Sequence, residues 1–227
     1  MRNRILFMIL SVIGISSFWH PDVDAVVAFE QKVEATSSLG NVVTTPSITG
    51  AKNNLYLAAI ALNPNSNVTG VTGLGLTWYA IREQCSAKSK TRVELWYAIG
   101  ISPQSGAVEV TVDGDENVRV VASVLRYSGV DAGKPVSAAP ISGNTAGLSG
   151  SCGSTGTDTN NYSFNLTTAH ANSYVVSAAA VLNRTHTEGS GYTERVEGSI
   201  GSGNNAARLA VQDRSVTSPS QVAVNGT

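Results

Sequence analysis

The sequence predicts an all-β fold, two antiparallel sheets stacked as a jelly-roll-like β-sandwich. Three observations carry that expectation. Apolar side chains recur with period two along most of the chain, no stretch shows a convincing helical stripe, and Gly-, Asn-, Ser- and Pro-bearing turns punctuate it at short intervals. Strands are predicted at 27–35, 42–48, 54–62, 74–82, 92–99, 106–112, 118–127, 160–167, 173–182, 192–199, 206–212 and 221–225. They are rich in the Val, Ile, Thr, Tyr and Trp that suit a pleated, half-buried surface. Between them stand Asn63-Pro64-Asn65, Asp113-Gly114-Asp115, Gly189-Ser190-Gly191 and Gly201-Ser202-Gly203, residue types that supply turn geometry.

Three strands lose the alternation. Leu55 to Leu62, Val118 to Leu125 and Tyr174 to Leu182 are apolar on both faces, as expected of central strands covered on both sides. Ala178-Ala179-Ala180 favours helix on propensity alone. The short segment and its flanking Tyr174-Val175-Val176 and Val181 favour strand. Residues 128–160 are dominated by Gly, Ser, Thr, Ala and Pro and read as one long loop with a short strand at 134–138.

The first 25 residues read as a secretory signal peptide. Arg2 and Arg4 open it, Ile5 to Phe18 is apolar but too short to span a bilayer comfortably, and Val23-Asp24-Ala25 places small or apolar residues where a signal peptidase cuts. Cleavage after Ala25 is expected, with Ala28 as the alternative. Residues 26–227 then form a single β-sandwich domain, secreted or held at the cell surface, with no later segment long or apolar enough to cross a membrane. Cys85 and Cys152 are an even pair in an exported chain, so a disulfide is expected. Free thiols and a pairing between chains are the other options.

Composition narrows function. Only 14% of the residues are charged, against roughly 25% in an average soluble protein, and the formal net charge is −1. A chain without a basic stripe makes a poor phosphate binder, so no nucleic-acid partner is expected. No Gly-x-Ser-x-Gly and no His-Glu-x-x-His occurs, and the mature chain holds only His170 and His186. Glu194 and Glu197 are three apart, which in a regular strand puts them on opposite faces and rules out a carboxylate pair. A non-enzymatic role and no cofactor follow as expectations. Asp113 and Asp115, in Asp113-Gly114-Asp115-Glu116-Asn117, resemble a calcium-loop fragment without the glutamate that closes a complete loop. The alternative is a hairpin turn in which Asp-Gly supplies positive φ, and it is preferred here.

Trp78, Trp96 and Tyr97 are the candidate ligand-binding residues. Trp78-Tyr79 and Trp96-Tyr97 are adjacent pairs, so one member of each points inward and the other outward. An outward ring would suit stacking on a sugar; an inward tryptophan fills the core with a large apolar area.

Val71-Thr72-Gly73, Leu76-Thr77-Trp78, Val93-Glu94-Leu95-Trp96-Tyr97-Ala98, Tyr127-Ser128-Gly129-Val130-Asp131 and Pro135-Val136 appear in that order. The pattern resembles exported prokaryotic β-sandwich modules of unestablished function, over roughly residues 30–225. The resemblance implies a sandwich fold and carries no catalytic residues. Such modules end in a further apolar strand, whereas this chain stops at Val222-Ala223-Val224-Asn225-Gly226-Thr227. A terminal strand would then be lacking, leaving a slot that a segment of another subunit, such as residues 26–35, could fill. The expected function is cell-surface adhesion or assembly, with a surface glycan or protein, or a second copy pairing through the open edge, as partner. A carbohydrate-binding module is the alternative and a secreted hydrolase the remote one.

Overall fold

The computed structural model describes residues 26–114, 117–136, 140–153 and 159–227. The region assigned to the signal peptide lies outside them. The described chain is built of antiparallel strands: β1 (Ala28–Ser37), β2 (Val42–Thr44), β3 (Leu55–Asn63), β4 (Val68–Gly73), β5 (Tyr79–Cys85), β6 (Arg92–Ile99), β7 (Val108–Val112), β8 (Arg119–Ser128), β9 (Gly143–Asn144), β10 (Gly147–Leu148), β11 (Tyr162–Thr167), β12 (Ser173–Val181), β13 (Thr193–Ile200), β14 (Ala207–Val216) and β15 (Gln221–Gly226). Among the described residues no helix is long and apolar enough to cross a membrane.

The first eight strands pair in jelly-roll order. One sheet runs β1-β8-β3-β6-β5 and the facing sheet β2-β7-β4, so first meets eighth, third meets sixth, and second meets seventh. Tyr56, Ala58, Ile60 and Leu62 of β3 and Val120, Ala122 and Val124 of β8 pack onto Val43, Val68, Val71, Val108, Val110 and Val112 of the smaller sheet. Residues 28–37 form β1 and pair with β8 of their own sheet.

The five-stranded sheet is covered on its second face as well. A three-stranded sheet, β12-β14-β13, lays Leu209, Val211, Val196, Tyr174, Val176, Ala178 and Ala180 against Leu55, Leu57, Ala59, Val121 and Leu125. This is why β3 buries all nine of its residues and shows no alternation. A fourth layer, β11-β15, rests on the outer face of the three-stranded sheet through Tyr162, Leu166, Val222 and Val224, which meet Val175 and Val216. The Ala178–Ala180 run is strand, paired residue for residue with β14.

Three departures from the expected strands stand out. β4 is absent from the predicted strands because its Val-Thr-Gly-Val-Thr-Gly sequence carries two glycines and a bulge between Val68 and Gly70. The strand expected at 74–82 begins only at Tyr79, because Leu74 and Gly75 adopt φ of +59° and +64° in a turn that seats Trp78 in the core. Residues 134–136 form no strand and bend at 135–136; residues 137–138 of that expected strand lie outside the described residues.

One charged group sits inside the first core. Glu94 is 3% exposed. It accepts hydrogen bonds from Arg92 Nε at 2.8 Å, the Val68 N–H at 3.0 Å and Trp96 Nε1 at 3.1 Å. Arg92 is held in turn by Glu83. Glu94→Gln keeps the volume and removes the charge those donors share, so a loss of about 1–2 kcal/mol is expected. Guanidinium denaturation measures it, and a wild-type midpoint would contradict the role assigned to this carboxylate.

Candidate functional site

The sheet beneath has five strands and the sheet above it three. β13 lies over β1 and β8, β14 over β8 and β3, and β12 over β3 and β6. Nothing described lies over the inner face of β5, and there a cleft of about 1350 Å³ opens. Ile81, Val93 and Leu95 form its floor and β12 one side. Phe164 and Leu166 of β11, with residues of 129–136 and 140–145, close it from outside. Ile81, Val93, Leu95, Val176, Ala178 and Ala180 pack against the second core yet are only half-buried.

The outer wall is tied to β5. Cys85 and Cys152 form a disulfide, their Cα atoms 5.7 Å apart. Asn144 Nδ2 donates to the carbonyls of Cys85 at 3.0 Å, Gly150 at 3.0 Å and Ser151 at 3.1 Å. Gln84 Nε2 donates to the Gly150 carbonyl at 2.9 Å, and Arg82 Nε to that of Pro140 at 2.9 Å. Phe164 lies on the β9–β10 hairpin at Gly143, where a Cβ would stand 2.6 Å from its ring. Within the long loop read from the sequence, residues 140–152 are therefore an anchored wall.

Two polar clusters reach the cleft, one through Tyr127 and the other through Tyr162 and His186. In the first, Tyr127 donates its hydroxyl to Asp213 Oδ2 at 2.9 Å, and Arg195 Nε donates to the same oxygen at 2.8 Å. Arg195 also sits 4.3 Å over the Phe29 ring. Burial, reinforced by the Asp213 carboxylate, pushes the Tyr127 phenol far above its ordinary value, so it remains a donor. The hydrogen bond to Asp213 holds the Arg195 guanidinium above its ordinary value.

In the second, His186 is 6% exposed at the meeting of the outer layers. Its Nδ1 lies 2.7 Å from Glu194 Oε1, its Nε2 3.0 Å from the Tyr162 hydroxyl, and its backbone N–H donates to Glu197 Oε1 at 2.9 Å. Gln212 Nε2 reaches the Tyr162 hydroxyl at 3.1 Å and the Asn225 carbonyl at 2.8 Å. Glu194 and Glu197, expected on opposite faces, share one face. The ladder shifts between Glu194 and Val196, so Arg195 bulges out and Glu194 and Glu197 stand opposite Gln212 and Ala210. A glutamate–histidine–hydroxyl chain has the form of a proton relay. Here Gly226 closes it, since a Cβ on that residue would stand 2.8 Å from the Tyr162 oxygen and 2.5 Å from His186 Nε2. The hydroxyl is spent joining β11 to Gln212 of β14 and to His186 in the turn before β13. Burial pushes the Tyr162 phenol up to about 12.

These two phenols predict an alkaline weakness. Both folded values lie above the unfolded value near 10. Their stabilising contribution is complete below pH 10 and falls as pH rises, because the unfolded chain releases protons that the folded chain keeps. The expected slope is about 1.4 kcal/mol per pH unit for each tyrosine. Urea denaturation between pH 9 and 11.5 measures it, and Tyr127→Phe should make it shallower by one tyrosine's share; an unchanged slope would contradict the assignment.

The residues singled out from the sequence are dispersed. Trp78 is 8% exposed in the first core, its Nε1 donating to the Gly73 carbonyl at 3.3 Å. Trp96 packs against the same core. Tyr97 is on the opposite face, its ring 5.5 Å from that of Tyr79, which is 54% exposed. Asp113 accepts from the Asn67 backbone N–H at 2.5 Å and from Asn67 Nδ2 at 2.6 Å, and the Asn67 side-chain bond holds its carboxyl below the ordinary range. Gly114 has the positive φ expected of Asp-Gly, +111°, but β7 and β8 belong to different sheets, so the segment crosses between sheets and is not the hairpin turn expected. Asp115 lies outside the described residues. Among the described residues no three His, Cys, Asp or Glu side chains converge on a metal position.

The site defines a class: a layered, disulfide-linked β-module with an apolar cleft beyond one sheet edge. No protein-family model, curated protein or solved structure matches this chain.

Proposed function

We propose that this chain is an exported, non-catalytic binding module with an adhesion or assembly role at the cell surface, and that the cleft between β12 and β5–β6 is its binding site. The carrying observation is the floor of half-buried Ile81, Val93 and Leu95 facing Val176, Ala178 and Ala180. Folding leaves this apolar surface unsealed, and a partner gains by covering it. The volume exceeds the roughly 300–1,000 Å³ of small-molecule pockets, which favours a larger ligand. The Cys85–Cys152 bond supports an oxidising compartment. The polar groups around the cleft are engaged in joining sheets, which supports binding over catalysis.

Titration with the apolar dye 1-anilinonaphthalene-8-sulfonate tests the site. Saturable fluorescence with the native chain is expected, reduced at least fivefold by Leu95→Glu with unchanged circular dichroism. Absence of dye binding would contradict the reading. The Tyr79–Tyr97 ring pair favours carbohydrate as a second reading; a glycan array on wild type and Tyr79→Ala separates the two.

A further inference from the structure

Resting on that reading of the cleft, we propose that its occupant is an extended, uncharged segment of a separate polypeptide, added as a fourth strand to the free edge of β12. The first observation is a contrast among the long edge strands. β1 carries a bulge and Glu30, Lys32 and Glu34. β13 carries a bulge with Glu194, Arg195 and Glu197. β5 carries a bulge with Arg82 and Glu83, and the disulfide-linked loop lies along it. Bulges, charges and covering loops are how proteins blunt an edge against pairing. β12, Ser-Tyr-Val-Val-Ser-Ala-Ala-Ala-Val, has no bulge, no charge and no proline, and runs nine residues in unbroken register with β14. Among the described residues no strand pairs with it on the other side.

The second observation is the space beside that edge. A strand adjoining β12 along nine residues would be ~30 Å long, with ~4.8 Å to its neighbour and ~10 Å between sheets, or roughly 1,400 Å³. The cleft holds about 1350 Å³. It also lies where a fourth strand of the β12 sheet would fall, over β5 and β6. The third observation is the lining. An added strand would point alternate side chains at Ile81, Val93 and Leu95 on one face and at Phe164 and Leu166 on the other. Both faces are apolar, so the segment that fits is aliphatic on both and carries no charge. Unpaired backbone groups along β12 call for a polypeptide rather than a lipid or a sugar.

The test uses the disulfide-intact chain and a fluorescein-labelled peptide with a nine-residue alternating Val-Ala core between terminal lysines. A control has every core amide N-methylated, which keeps apolar surface and removes hydrogen-bond donors. The expected result is saturable binding that displaces the dye, slows amide exchange within 173–181, and weakens at least tenfold on N-methylation. Equal binding of both peptides, or dye displacement without protection of β12, would overturn strand addition and leave the apolar cleft standing. Failure of dye and peptide alike would overturn both readings. A peptide-free dimer by light scattering, with β12 already protected, would make the occupant a second copy and overturn the separate polypeptide.

Discussion

Asp213→Ala is expected to cost the fold about 3–5 kcal/mol, the typical penalty for removing one partner of a buried charge pair. Asp213 is 1% exposed and lies on β14, in the sheet above the five-stranded one. Its Oδ2 takes both the Tyr127 hydroxyl, rising from β8, and the Arg195 guanidinium on β13. Removing the carboxylate leaves a guanidinium without its counter-charge and a buried phenol without an acceptor. Asp213→Asn keeps one acceptor oxygen and shape, and should lose less than the alanine variant. Tyr127→Phe removes one neutral donor and should cost about 1–2 kcal/mol. The order Ala, then Asn, then Phe at Tyr127 is the informative result in guanidinium denaturation. Equal midpoints for Asp213→Ala and wild type would mean the sheets are held by apolar packing alone.

That junction was not legible in the sequence, and the reason is general to this fold. The strands were legible because a period-two pattern reflects which face is buried, a local consequence of sheet geometry. Leu55 to Leu62 showed by its lost alternation that it is covered twice. The same sign misled at Tyr174 to Leu182, expected to be central: it forms β12, an edge strand that stays half-buried beside the cleft. What covers β3 on its second face is the sheet of β12, β14 and β13, more than a hundred residues further along the chain. The positive φ at Gly114 was legible because its backbone conformation depends on two neighbouring residues. Glu194 and Glu197 were misplaced because one bulged residue, Arg195, reverses the face of everything beyond it. His186 read only as a turn residue because its three partners, Tyr162 of β11 and Glu194 and Glu197 of β13, meet it only after folding. The cleft was invisible for a similar reason. It is set by a difference in strand number between stacked sheets, five below and three above, which no local pattern encodes.

Removing the Cys85–Cys152 bond should cost about as much as losing Asp213, by a different route. The two residues are 67 apart, and closing a loop of that length lowers unfolded-state entropy enough to stabilise the fold by about 4 kcal/mol in the chain-entropy model. The double variant Cys85→Ala with Cys152→Ala therefore tests a quantity that resides in the unfolded chain. A second effect resides in the folded one. Without the bond, the wall is held to β5 by the amides of Asn144 and Gln84 and by Arg82 on Pro140. Each such hydrogen bond is worth about 1 kcal/mol net, so local opening becomes cheap compared with global unfolding. Amide exchange over 140–152 should accelerate well beyond the change in global stability, while exchange in β3 and β8 tracks global stability alone. Dye entry into the cleft should quicken in parallel. If exchange at 140–152 rises only as much as in β3, the disulfide acts through the unfolded chain alone and the wall stands without it.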